Sequence, residues 1–104
     1  MTADETDLIE SFTRIRRDEE GLTHFEVAVV HWSGPASPYL VWRKFRVWKR
    51  PPSPDQVARA GQRALQTQRF FRLCERCGRL QNSGHMLDNA TCQHCAATYL
   101  GVAF

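Results

Sequence analysis

All four cysteines of this 104-residue chain fall between positions 74 and 95, in two pairs of the form Cys-x-x-Cys. The first reads Cys74-Glu-Arg-Cys77-Gly78 and the second Cys92-Gln-His-Cys95, with fourteen residues between the pairs. Each pair can reach one ion from a tight turn, and a spacer of that length can fold back to bring the pairs together. The pattern predicts one structural zinc ion held by Cys74, Cys77, Cys92 and Cys95. Gly78 suits a knuckle turn in which backbone N–H groups bond the sulfurs, because glycine tolerates positive φ. A shell of four thiolates keeps no open position for water, so no catalytic residue and no enzymatic activity are expected. His94 is a spare nitrogen ligand inside the second pair, and His85 is read as a hairpin residue or a donor to a ligand. A redox role for Cys74 and Cys77 is disfavoured, because the flanking sequence lacks the strand and helix that activate a thioredoxin-type thiol.

With Cys74, Cys77, Gly78, Cys92 and Cys95 so placed, about residues 70–104 resemble the four-cysteine zinc fingers of the treble-clef and zinc-ribbon type. In the treble clef, a knuckle and hairpin are followed by a helix carrying the second ligand pair. Ala96 to Leu100 suits that helix, Thr91 could cap it, and the second pair lacks the following glycine of a symmetric ribbon. Asn82-Ser-Gly84 reads as the turn of a hairpin between residues 79–81 and 85–87. Members of these groups serve in transcription, translation, DNA repair and protein–protein adaptors, so the resemblance implies zinc and leaves the partner open.

Upstream, the charge is segregated. Residues 1–20 carry −4, residues 21–42 carry −1, residues 43–72 carry +8 and residues 73–104 balance, within a formal net charge of +3. Bound zinc with four thiolates would bring the total to about +1. The basic block includes Lys44 and Arg46 interleaved with Trp42 and Trp48, all assigned to one face of a strand. Aromatic planes can stack on unpaired bases while cations neutralise phosphates, so these four residues form a candidate nucleic-acid platform. Arg59, Arg63, Arg69 and Arg72 are assigned to the exposed side of a helix from Pro54 to Arg72, with Phe70 among them, as candidate phosphate contacts.

The elements that must position these groups follow from local pattern. Thr2 and Glu5 form a candidate capping box for a helix over residues 3–20, with Leu8, Ile9, Phe12 and Ile15 on one face and Gly21 ending it. Thr23 to Trp32 alternates Phe25, Val27 and Val29 with His24, Glu26 and Ala28, the mark of a half-buried strand. After the Pro- and Gly-bearing run 33–38, Tyr39 to Trp48 is the second strand of an antiparallel hairpin. Ser53, Pro54 and Gln56 open the basic helix with a capping box, and Val57, Ala60, Ala64 and Phe71 form its core stripe.

The expected class is α+β: helix, antiparallel hairpin, helix, then the zinc finger. Residues 1–72 are expected to form an α-β-β-α core and residues 73–104 the finger packed on it as one unit. No apolar run approaches the roughly 18 residues of a membrane span, and the acidic N-terminus has no signal-peptide character. Paired cysteines then favour a reducing, cytoplasmic setting. The expected function is a small non-enzymatic structural-zinc protein that binds RNA or DNA, without a membrane or a small-molecule substrate. The alternatives are a protein-interaction adaptor or homodimer using exposed aromatics, or a zinc-containing accessory subunit of an enzyme.

Overall fold

The computed structural model describes residues 3–34, 36–88, 90–99 and 101; the expected Thr2 cap and the tail 102–104 lie outside these. The chain is mixed α and β, as expected. In order, it forms α1 (Ala3–Phe12), β1 (Thr13–Arg17), β2 (Thr23–Trp32), β3 (Pro38–Trp48), α2 (Pro54–Leu65), β4 (Phe71–Leu73), β5 (Leu80–Asn82), a single 3-10 turn (Ser83–His85) and α3 (Gln93–Tyr99). β1, β2 and β3 make an antiparallel sheet with β2 in the centre, and β4 and β5 make a separate antiparallel pair.

The first correction concerns residues 13–20, expected to be helical. The helix stops at Phe12, where the Thr13 hydroxyl bonds back to the Ile9 carbonyl, and residues 13–17 become the third strand of the sheet. Leu8, Ile9 and Phe12 pack on the core, whereas Ile15, the fourth member of the expected stripe, is 51% exposed on β1. Gly21 does not cap a helix. At φ 84° it sits in the β1–β2 turn, which Asp18 holds by accepting from the N–H groups of Glu20 and Leu22.

The new strand explains why β2 is buried on both faces rather than half-buried. Phe25 and Val27 face the helices, and on the other side His24 and Glu26 are met by groups from the turn after β1 and from β1 itself. Asp18 Oδ2 lies 2.7 Å from His24 Nε2, and Arg14 and Arg16 donate to Glu26 Oε1 at 2.8 and 3.4 Å. The hydrogen bond from His24 holds the Asp18 carboxyl below its ordinary value. Burial pushes Glu26 up, but the bonds and charges of Arg14 and Arg16 outweigh it, so its value is also depressed. A depressed carboxylate adds stability above its unfolded pKa and loses it as pH falls through the folded pKa. These two carboxylates should therefore add no pH dependence near neutrality and lower stability below roughly pH 4. Glu26→Gln should cost about 1–2 kcal/mol at pH 7, since both arginines are partly solvated, and should flatten that acid limb. Urea titrations at pH 7 and pH 3 measure both effects; an unchanged pH dependence would remove Glu26 from this role.

The second correction concerns the faces of β3. Phe25 pairs with Arg46 but Glu26 pairs with Lys44, so Phe45 is an extra residue in a β-bulge. The bulge breaks the alternation that placed Trp42, Lys44, Arg46 and Trp48 together. Trp48 is carried into the core at 8% exposure, its ring 6.3 Å from that of Phe25, while Phe45 meets Phe25 at 6.3 Å and Phe70 at 5.8 Å.

α2 begins as expected: Ser53 Oγ accepts from Gln56 N, and Gln56 Oε1 accepts from Ser53 N. It ends at Leu65 rather than Arg72. The helical wheel therefore fails beyond that point, and Phe70, expected among the arginines, is buried in the turn before β4. Ala60, Ala64 and Leu65 close the core against β2, β4 and α1.

Candidate metal centre

The chain enters the cysteine module on β4, which pairs Phe71–Leu73 with Leu80–Asn82 of β5. Between them lies the first knuckle, where Cys74 N donates to Arg79 O at 3.0 Å and Gly78 N to Cys74 O at 2.8 Å. Gly78 has φ 71°, the left-handed conformation expected of it. The hairpin is thus built around the knuckle. The expected hairpin with its turn at Asn82-Ser-Gly84 does not form; those residues enter the 3-10 turn, and Met86 bridges to Cys92 instead. α3 starts directly after Cys92 and carries Cys95, with Ala96 N bonded to Cys92 O at 3.0 Å.

These three segments bring the ligand atoms of Cys74, Cys77, Cys92 and Cys95 within 4.8 Å of one another. Cys74 Sγ and Cys95 Sγ are 3.8 Å apart. Sulfurs about 2.3 Å from a tetrahedral ion are about 3.8 Å from each other, so the spacing fits a metal the size of zinc. Cys74, Cys92 and Cys95 are buried, and Cys77 is exposed at the tip of the knuckle. Burial pushes the Cys74 thiol up, but N–H groups of Cys77, Cys92 and Arg76 more than offset this and leave it at about 6. Cys95, buried and facing three other sulfurs, is pushed up to about 12. Without a cation, four thiolates cannot coexist at this distance; a dication removes the repulsion that keeps Cys95 protonated. Comparison of the chain with protein-family models, curated proteins and solved structures returned no match.

Neither spare histidine joins the cluster. His94 is exposed on α3, and His85 packs between Phe12 and Trp32, with ring centroids at 6.1 and 6.4 Å. Burial lowers the pKa of His85.

Two residues read only as a turn, Asn82 and Gly84, attach the module to the sheet. β1 covers β2 as far as Val27, and beyond it the Asn82 side chain takes over the same edge. Its Oδ1 accepts from Val30 N at 3.0 Å and its Nδ2 donates to Ala28 O at 2.9 Å, the two bonds a neighbouring strand would make. Gly84 then lies against Val30, and its carbonyl accepts from Trp32 Nε1 at 2.8 Å.

The candidate nucleic-acid residues do not share one surface. Trp42 is half-buried on the face away from the helices, with the Arg14 guanidinium 4.3 Å above its ring, and Lys44 shares that face opposite Glu26. Arg69 sits in the turn after α2, and Arg72 is on β4. Arg46, Trp48, Arg59 and Arg63 do converge, on a groove between β3 and α2. No helix among the described residues is long and apolar enough to cross a membrane.

Proposed function

We propose that this is a small, non-enzymatic protein whose structural zinc ion clasps the C-terminal third to a sheet, and whose basic surface binds nucleic acid. The observation that carries the zinc reading is the convergence of four sulfurs at the spacing of a tetrahedral thiolate site. Cys74, Cys77, Cys92 and Cys95 would hold the ion, and a closed shell of this kind supplies rigidity rather than a reactive water. A knuckle within a hairpin, followed by a helix bearing the second pair, favours the treble-clef type over the ribbon.

The nucleic-acid part rests on the +8 charge of residues 43–72 and on the three arginines that α2 and β3 bring to one groove. Base stacking on tryptophan carries less of it than the sequence pattern implied. Trp48 lies in the core, and Arg14 already occupies the face of Trp42.

Protein purified under reducing conditions should contain one zinc per chain by elemental analysis, and its affinity for short oligonucleotides should fall steeply between about 50 and 200 mM salt. A metal content near zero in fresh reduced protein would end the zinc reading. Absence of any nucleic-acid binding at low salt would leave the adaptor alternative.

A further inference from the structure

The β3 bulge does more than bury Trp48. In a regular strand Arg46 would share the outer face with Trp42 and Lys44; the extra residue at Phe45 turns it toward α2. There Arg46 meets Arg59 and Arg63, which stand one turn apart on the helix, around a groove of about 220 Å³. Gln56 also lines it, and Phe45, Trp48 and Ala60 supply its apolar lining. Arg46 lies over the Trp48 ring, its guanidinium carbon 5.9 Å from the centroid.

The polar lining is dominated by donors. Arginine has no acceptor, and one lone pair of the Gln56 side-chain oxygen is already used by Ser53 N, so donors outnumber acceptors around the groove. Among the described residues no acid pairs with Arg46, Arg59 or Arg63; Asp55, four residues before Arg59, forms no ion pair with it. Three cations around one concavity repel one another, and an acceptor-rich anion relieves that repulsion while using their forked geometry. The basic track also continues past the groove, because Lys49 and Arg50 follow Trp48 directly and are exposed. One phosphate would not use them; a chain of phosphates would.

We infer that this bulge-built groove is a phosphodiester site, in which Arg46, Arg59 and Arg63 grip the backbone of a single nucleic-acid strand that runs on toward Lys49 and Arg50. It rests on the nucleic-acid reading above and gives it a place and a mode: phosphates are bound, bases are not read. Affinity should be nearly independent of base sequence, since arginines engaged with phosphates take no sequence information from the strand.

The test uses the zinc-loaded 104-residue chain and fluorescence anisotropy with labelled 12-nucleotide single strands of mixed and homopolymeric sequence, titrated over several salt concentrations. Arg59→Ala/Arg63→Ala should weaken binding at least tenfold on every sequence and reduce the slope of log affinity against log salt by about one to two. Arg46→Gln should act in the same direction, while Arg69→Ala, outside the groove, should change affinity less than twofold. Circular dichroism and zinc content of each variant report whether its fold is retained. If the wild type binds oligonucleotides and the groove variants bind equally well, the groove is wrong while the nucleic-acid reading survives. If the wild type binds none, both fall. A mononucleotide that competes as well as the oligonucleotide would overturn the polymer assignment.

Discussion

Removing the metal with a chelator, or replacing Cys74 by serine, is expected to unfold residues 71–99 and with them the covered edge of β2. The apolar groups around the site amount to the buried cysteines themselves and Met86, and β4 and β5 add only Phe71 and Leu80 against the main core, too few to hold these segments and α3 in place without the ion. Structural zinc contributes roughly 10–16 kcal/mol of apparent binding energy in small fingers, so the module should pass from folded to unfolded with metal occupancy. The consequence reaches the sheet because Asn82 belongs to the module. When β5 dissolves, Val30 N–H and Ala28 C=O lose their partners, whereas residues 23–27 keep β1. Hydrogen exchange followed by mass spectrometry should therefore show lost protection at residues 28–32, 71–73 and 80–82, with residues 24–27 retaining more. Phe71 also contributes to the main core, so some loss of global stability should accompany it. A Val30 amide that stays protected in the chelated protein would refute the coupling.

Substitution at the clasp should be nearly as damaging with the metal in place. A Cβ at Gly84 would stand 1.9 Å from the Val30 carbonyl oxygen and 2.7 Å from Val30 Cβ. Those atoms belong to the central strand and cannot yield. Gly84→Ala must push the 3-10 turn off the sheet, straining the bond from Trp32 Nε1 and the pair made by Asn82, at a cost of about 3 kcal/mol or more. Asn82→Ala removes the clasp chemically. It leaves one backbone donor and one acceptor unpaired in a fully buried place, about 2–5 kcal/mol together. Asn82→Asp separates the two bonds: it can still accept from Val30 N but sets a carboxylate oxygen against the Ala28 carbonyl. Urea denaturation of the zinc-loaded variants ranks them, and a loss below about 0.5 kcal/mol for Asn82→Ala would show that the amide is not pairing with the strand.

What the sequence alone determined lies within a few residues of itself. The ligand set follows from spacing, because two Cys-x-x-Cys pairs can converge on one ion wherever the chain permits. The start of α2 follows from Ser53, Pro54 and Gln56, whose capping bonds span three residues. β2 and the β2–β3 hairpin follow from alternation on either side of a proline-bearing loop. The misread segments are those where local periodicity agreed with a structure that distant contacts overruled. Leu8, Ile9, Phe12 and Ile15 satisfy a helical stripe, yet residues 13–17 gain more by completing the sheet and meeting Glu26. Trp42 and Trp48 have the right spacing to share a face, and one extra residue at Phe45 separates them.

The largest features decided by tertiary structure concern the clasp and the groove. Asn82 looks like half of a turn signal, and nothing nearby in the chain shows that its amide will act as a strand for residues more than fifty positions earlier. Arg46 and Arg63 become neighbours only because the bulge rotates one of them toward the helix that carries the other. Local sequence can specify which side chains carry charge or bind metal; which of them meet depends on the register between strands and the approach of one element to another, set by the whole packed core.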